Sequence, residues 1–354
     1  MTKDELQARI KGNTDLPPAI SKMDLSGNDY AGLDLAGAVF NQVDFRESSF
    51  VGANLNKANF VECQMQGVDL SKANLNGCNV VKTNATGSRF LEAEVEGMNI
   101  AESVCNDADF SGIKAKRINI IKSQLNRAKF CGSHFSQSSM INSDLNEADF
   151  TGSVHLRTHF INTACQDIHF DGATLELVFF QNASFDQFDF SNVIFKIVQF
   201  RESRLNRVNF AGCDLRQCGF MDAALEAANF QGALADNAMF LGASLAGSDF
   251  SGCGLEQALF NEAQINDCRF NSARCKQAQF VRVNATNASF DGADLSYADF
   301  SHASLTKVQM TNANLFRTNL HSIIEEGASW RGSDRLLALA TDEKRHAAET
   351  FSVG

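Results

Sequence analysis

The segments GANLNKANF (residues 52–60) and GADLSYADF (residues 292–300) decide the fold, because both repeat one five-residue unit. The unit reads Ala, then Asp or Asn, then Leu or Phe, then two variable residues. From Ile20 to Leu320, positions divisible by five are large and apolar with few exceptions, and 26 of the 30 Phe residues occupy them. A period of five fits neither a helix nor a flat strand, so the pattern indicates an internal repeat.

The repeat resembles that of the pentapeptide-repeat family over roughly residues 20 to 325. The resemblance implies an all-β fold, a right-handed quadrilateral parallel β-helix with four pentapeptides per coil. This chain would then form about fifteen coils with short helical caps. The residues agree independently, since a narrow interior needs one large apolar centre per unit and a small residue two positions before it. Four units per coil predict columns of residues spaced by 20, and glycines two residues after a centre indicate corners with positive φ.

The periodicity divides the chain into three parts: residues 1–19 as a helical N-terminal cap, residues 20–330 as the β-helix, and residues 331–354 as a C-terminal helix. An open stack of coils exposes unpaired strand edges and needs such caps. Two interpretations of the C-terminal helix stand, capping alone or capping with dimerisation as the resemblance implies. Its candidate cap and dimer residues are Leu336, Leu337 and Leu339.

The composition and motifs favour a protein that is not an enzyme. The sequence has no phosphate-binding glycine loop, no metalloprotease motif and no nucleophile with a matched base. Nine of the ten cysteines fall on inward positions, and Cys131 is the candidate reactive thiol. His155, His159 and His169 fall on three sides of the coil, so we expect no metal and no cofactor. His155 replaces an apolar centre, and either it is a core histidine or Leu156 turns inward in its place.

No segment has the apolar run of a transmembrane helix or a secretory signal. We therefore expect a cytoplasmic protein without membrane contact, with export by a specialised secretion system left open, and the family resemblance implies a bacterial one. The net charge of −11 is unevenly distributed. Between residues 111 and 143 six basic residues and no acid occur, and between residues 217 and 268 seven acids and no base. The acids form a candidate DNA-mimicking belt: Asp222, Glu226, Asp236, Asp249, Glu256, Glu262 and Asp267.

An apolar stripe occupies outward positions that should face solvent. Such a surface indicates a protein interface, although β-branched residues also suit exposed strands without a partner. The candidate interface residues are Val61, Val81, Ile121, Ile141, Ile161, Leu177, Phe179, Ile194 and Ile197.

Three functions compete for this surface chemistry. The first is a rigid protein-binding scaffold, for example in a bacterial effector or secretion apparatus. The second comes from the resemblance, whose quinolone-resistance members mimic DNA and bind DNA gyrase or topoisomerase IV. The greater length of this chain and its basic stretch argue against that function. Direct nucleic-acid binding is the weakest, because the chain is acidic and its basic residues lack interleaved aromatics.

Overall fold

The computed structural model describes residues 3–11 and 19–351, without the side chains of residues 10 and 11. The chain divides into two compact units between Phe179 and Phe180. In each unit the backbone pairs in parallel with the backbone 20 residues later, as in Ala19 with Val39 and Asn319 with Leu339. Four pentapeptides therefore complete a coil, and the predicted class of parallel β-solenoid is confirmed. The coil count differs slightly from fifteen, since a 20-residue step places about eight coils in each unit.

The strands are short and carry one buried residue each, flanked by more exposed ones. The first unit contains β1 (Ala19–Ser21), β2 (Val39–Asn41), β3 (Asn59–Val61), β4 (Asn79–Val81), β5 (Asn99–Ala101), β6 (Lys114–Lys116), β7 (Asn119–Ile121), β8 (His134–Ser136), β9 (Ser139–Ile141), β10 (Val154–Leu156), β11 (His159–Ile161) and β12 (Thr174–Glu176). The division falls within β13 (Phe179–Gln181), and the second unit adds β14 (Ile194–Lys196) and β15 (Gln199–Arg201). Elsewhere in the described part of the second unit, neighbouring coils meet through single bridges.

Both units share one type of core. Pentapeptide centres and the small positions two residues before them are buried almost throughout, as predicted. Phenylalanine rings stack vertically at the 20-residue spacing, with centroids 4.6 Å apart for Phe130 and Phe150 and 4.8 Å apart for Phe190 and Phe210. In the second unit rings from two columns also meet edge to face, as Phe240 meets Phe250 at 5.5 Å. The narrow interior is thus filled by interlocked rings.

The corners of the coils lie two residues after each centre and have positive φ. Glycine is common there, as at Gly112 (φ 72°), which agrees with the prediction. Many corner residues other than glycine also have positive φ, including Lys57 (φ 58°) and Ile197 (φ 55°). A β-branched residue is seldom found in this conformation, so the coil geometry overrides local preference.

Helix α1 (Lys3–Lys11) covers the first coil. Leu6 is fully buried, and the Gln7 amide both donates to the carbonyl of Asp34 (3.0 Å) and accepts its N–H (3.3 Å). The helix thereby satisfies backbone groups that an open coil edge leaves unpaired. The remainder of the proposed N-terminal cap, residues 1, 2 and 12–18, lies outside the described residues.

The C-terminal segment differs from the single helix expected within residues 331–354. It forms a 3₁₀ turn, η1 (Arg335–Leu337), and a separate helix, α2 (Glu343–Thr350). The Asp334 carboxylate caps η1. Leu339 then pairs with Asn319, so a helix cannot begin until Asp342 caps α2. Leu336 is 94% exposed, and Leu337 and Leu339 are also exposed, which leaves the predicted dimer contact open.

Candidate protein-binding face

The predicted apolar stripe is a continuous column on one face of the first unit. Strand pairing places successive members directly above one another: Val61, Val81, Ala101, Ile121, Ile141 and Ile161. Ile121 has 37% of its surface exposed, and the other members are partly exposed. Because neighbouring strands lie about 4.8 Å apart, the side chains form an uninterrupted apolar surface.

An amide ladder runs beside the stripe on the same strands. The Asn79 amide donates to Asn59 Oδ1 (2.8 Å), Asn99 to Asn79 (3.0 Å) and Asn119 to Asn99 (3.0 Å). Ser139 Oγ continues the ladder by donating to Asn119 Oδ1 (2.8 Å). These bonds hold the side chains flat against the face. From β2 to β11, the strands of this face contain no Asp, Glu, Lys or Arg.

The remaining candidate interface residues fall in both units. In the first unit, Leu177 is a corner residue with φ 53° and 37% exposure. Phe179 packs edge to face against His159 with ring centroids 6.0 Å apart. Ile194 and Ile197 belong to the second unit, where they are 53% and 43% exposed. The structure therefore assembles six residues of the stripe on one surface, whereas these four are distributed over both units.

The candidate acidic belt does not converge on one face. The 20-residue step places Asp236 beneath Glu256, whose N–H donates to Asp236 Oδ1 (2.8 Å). Asp222 and Glu262 share a corner column, and Glu262 lies 3.8 Å from Arg282. The other three acids occupy three further columns. This spread follows from their sequence spacing, which is not a multiple of 20.

Asp249 of the belt is buried. Burial alone would raise the pKa of its carboxyl, but hydrogen bonds from Arg269 and Ser251 outweigh that effect and lower the pKa to about 2. Arg269 Nη2 lies 2.8 Å from Asp249 Oδ2. The residue is thus a paired structural carboxylate and presents no charge to a partner.

The basic stretch of the first unit is partly neutralised by acids of the preceding coil. Lys116 and Arg117 lie 3.3 Å and 2.5 Å from Glu96, and Arg127 lies 2.8 Å from Asp107. Exposed pairs of this type contribute little to stability, but they reduce the net positive field of the surface.

His155 is a core histidine, and the chain does not distort around it. It is fully buried between Phe135 and Leu175 in the regular strand β10, and Leu156 faces outward. The Ser153 hydroxyl lies 2.9 Å from His155 Nε2, and the ring stacks on Phe135 at 4.8 Å. Among the residues that the structure describes, Nδ1 has no hydrogen-bond partner. Burial lowers the pKa of His155 to about 3, so the ring is neutral at ordinary pH.

Cys131, the candidate reactive thiol, is not activated. Burial and the neighbouring Asp149 raise its pKa to about 11, so the nucleophilic thiolate is scarce at neutral pH. Cys131 lies one residue after a centre, on an outward position, but its side chain is partly covered by its surroundings, which residue spacing alone does not reveal.

A cluster that the sequence analysis missed joins α2 to the last coils of the second unit. His321 Nε2 and His302 Nε2 lie 3.0 Å and 3.3 Å from Glu349 Oε2. Hydrogen bonds, first from His321 and then from Arg345, lower the pKa of Glu349 to about 2. His302 and His321 are 19 residues apart in a 20-residue repeat, a spacing that places them in adjacent coils.

The three side chains are close enough to hold a metal ion, but the hydrogen bonding of His321 opposes it. The backbone N–H of Asp342 donates to His321 Nδ1 (3.1 Å), so neutral His321 carries its proton on Nε2. That nitrogen then donates to Glu349 and has no lone pair for a metal. The arrangement is a clasp that holds α2, reinforced by the contact of Ser322 Oγ with His346 Nδ1 (2.9 Å).

Family profiles identify the class of the protein. The profile described as pentapeptide repeat region matches residues 24–100 and 193–270, and that of pentapeptide repeats (8 copies) matches residues 118–154 and 286–321. The chain belongs to the pentapeptide-repeat proteins, and its repeat fold is a general scaffold. No curated protein sequence matches it. Among the described residues, no helix is long and apolar enough to cross a membrane.

Solved structures of the same fold are similar at low sequence identity. HetL, a pentapeptide repeat protein involved in heterocyst differentiation regulation in the cyanobacterium Nostoc, is 18% identical, with a TM-score of 0.36 over 64% of this chain and 91% of its own. A trypsin-treated variant of QnrB1, a plasmid-mediated fluoroquinolone resistance protein, is 19% identical, with a TM-score of 0.37 over 68% of this chain and 100% of its own. A protein of the Arabidopsis thaliana thylakoid lumen is 32% identical over 27% of this chain and 63% of its own, with a TM-score of 0.21.

Proposed function

We propose that this protein is a non-enzymatic scaffold that binds a protein partner through the flat face of its first unit. The flat face is defined here as the apolar stripe, Val61 to Ile161, together with the amide ladder, Asn59 to Ser139. The observation that supports it is the unbroken apolar column beside a hydrogen-bonded amide column, on strands free of charged residues. An apolar core with few charges is the composition of the centre of a protein interface.

The rigidity of the face favours binding. Its backbone is paired on both sides by parallel strands, and its amide side chains are already immobilised by one another. A partner would therefore lose little additional conformational freedom in this surface on association.

The test is quantitative affinity capture from the source cells with three baits: wild type, the pair Ile121→Lys and Ile141→Lys, and the control pair Gln124→Lys and Gln166→Lys. The control adds the same charge to other faces of the same unit. We expect partners recovered with wild type and control to be lost with the stripe variant. Equal recovery with all three baits would refute the proposal.

DNA mimicry directed at DNA gyrase or topoisomerase IV is the weaker candidate, supported by the net charge and by the stacked Asp236 and Glu256. Gyrase supercoiling should be titrated with this protein and with a variant in which Asp222, Asp236, Glu256 and Glu262 become amides. Inhibition that disappears in the variant would support mimicry. No inhibition by either protein would count against it.

A further inference from the structure

One edge of the flat face carries charges of alternating sign. Glu62, Lys82, Glu102 and Lys122 occupy successive corners of one column, and all four are exposed. Within the series, Lys82 Nζ lies 4.0 Å from Glu102 Oε2. A series of even length that alternates in sign is complementary to its own reverse.

We propose that the flat face binds a second copy of this chain, an inference that rests on the protein-binding function proposed above. The two copies pack face to face, with their first-unit solenoids antiparallel. The two-fold axis lies in the plane of the face, between the levels of β4 and β5. Each column of residues on one copy then faces the same column of the other copy, in the reverse order. Glu62 opposes Lys122 and Lys82 opposes Glu102, and each contact occurs twice because the interface is isologous.

The same operation matches the interior of the face. In the apolar stripe, Val61 meets Ile121 and Val81 meets Ala101, so apolar groups cover apolar groups at the four central levels. At the outer levels, Ile141 meets Asn41 and Ile161 meets Ser21. In the amide ladder, Asn79 meets Asn99, and amides can both donate and accept across the interface. A parallel two-fold packing would instead place the apolar stripe on the amide ladder. The antiparallel arrangement is therefore the better match.

The opposite edge of the face contributes less to the match between the two copies. Gly77 meets Gly97 there. The space where a Cβ would lie is open at Gly97, and at Gly77 it borders the Lys57 side chain. Lys57 meets Arg117, which is a pair of like charges. Arg117 is already paired with Glu96 (2.5 Å), which limits the repulsion.

The size of the contact sets its strength. Eight strands at about 4.8 Å, each about 10 Å long, give a footprint on the order of 400 Å² per copy. The total lies below the range of about 1,200–2,000 Å² that is standard for stable complexes. We therefore expect a reversible dimer that forms at micromolar concentration and dissociates on dilution and, because its edges are charged, in high salt.

The first experiment uses two full-length variants: one with an all-lysine edge, Glu62→Lys with Glu102→Lys, and one with an all-glutamate edge, Lys82→Glu with Lys122→Glu. Sedimentation velocity is measured from about 1 to 200 μM for each variant, for their mixture and for wild type. We expect self-association of each variant to fall about tenfold or more, because like charges oppose one another across the interface. The mixture should form a heterodimer, and thermal melting should show that both variants are folded.

The register is tested by rescue. Glu62→Lys alone should weaken the dimer, and adding Lys122→Glu should restore it, since only the antiparallel register pairs these two positions. A monomeric wild type at 200 μM would overturn the proposal. So would variants that self-associate as wild type does, which would place the dimer contact elsewhere, for example at Leu336.

The result is separable from the proposed function. If charge-edge variants dimerise normally while the Ile121→Lys, Ile141→Lys variant loses its partner, the scaffold proposal stands and the homodimer fails. If the edge variants lose the dimer and capture is unaffected by the stripe variant, the homodimer stands and a heterologous partner at this face is refuted.

Discussion

In the first unit, several backbone N–H groups three residues after a centre donate to hydroxyl groups of the next coil, whereas in the second unit most of these N–H groups donate to the backbone. Ala183, near the start of the second unit, still donates to Ser203 Oγ (3.3 Å). From Ser203 to Ala313, the N–H three residues after each centre, directly after the corner residue, donates to the carbonyl of that centre at 2.9 to 3.4 Å, as Cys213 N–H donates to Phe210 (3.1 Å). In the first unit, Thr83 N–H donates instead to Ser103 Oγ (3.1 Å), and Ser103 N–H donates to Ser123 Oγ (3.2 Å).

A buried hydroxyl can replace the backbone carbonyl as the acceptor of this N–H, or share it, as Ala228 N–H donates to both Ser248 Oγ (3.0 Å) and the carbonyl of Leu225 (3.1 Å). A serine or threonine at the small position two residues before a centre can accept a hydrogen bond from the backbone N–H one coil below it. That N–H then needs no bond to the carbonyl of its own centre, so the turn can stay open without leaving a buried donor unpaired. The open corner coincides with the three-residue strands that form the flat face. Alanine in the same slot has no acceptor, and the backbone must close the turn itself.

The largest expected loss of stability tests the buried phenylalanine stack that the two units share. Phe210→Asp places a carboxylate between Phe190 and Phe230, whose rings lie 4.8 Å and 5.3 Å from that of Phe210. Within the described part of the chain no Lys or Arg is buried, so we expect a loss of about 5 kcal/mol or more in the free energy of unfolding. Denaturant unfolding checks it, with Phe210→Leu as a control that should remain folded. A normal unfolding curve for the aspartate variant would refute the column assignment.

The second-largest effect is a pH dependence of stability that His155 gives to the first unit. His155 is neutral when folded and takes up a proton below pH 6.5 when unfolded, so stability falls as the pH decreases from about 6.5 towards 3. The slope approaches about 1.4 kcal/mol per pH unit. His155→Phe, which extends the stack on Phe135, should remove this contribution and gain more stability at pH 5 than at pH 8. Equal pH slopes for both proteins would contradict the assignment.

The smallest effect tests the corner mechanism directly. Ser103→Ala removes the acceptor of the Thr83 N–H, and an unpaired buried donor costs about 1–3 kcal/mol. Ser133→Ala is the matched control. The Ser133 hydroxyl donates to the carbonyl of Phe110 (2.8 Å), and the N–H one coil below it, that of Ile113, donates to the same carbonyl (3.4 Å) and does not depend on the hydroxyl. Denaturant unfolding should show the larger loss for Ser103→Ala. If both cost the same, hydroxyl acceptors do not decide the open corner.

Residue spacing alone led to the coil, the buried centres and the composition of the stripe. Prediction failed where chemistry depends on residues brought together from separate elements. The clasp of His302 and His321 requires Glu349, whose position depends on where α2 begins. The single C-terminal helix was wrong because pairing of Leu339 with the preceding coil competes with helix formation.

The sequence by itself determined the period, the fold class and the column to which each residue belongs, because a rigid 20-residue coil converts spacing directly into position. Only the tertiary structure decided which outward side chains are available. Asp249 is buried under Arg269, Cys131 is partly covered, and Glu62 to Lys122 remain exposed. Exposure and hydrogen bonding arise from neighbours one coil away, and no single pentapeptide contains them.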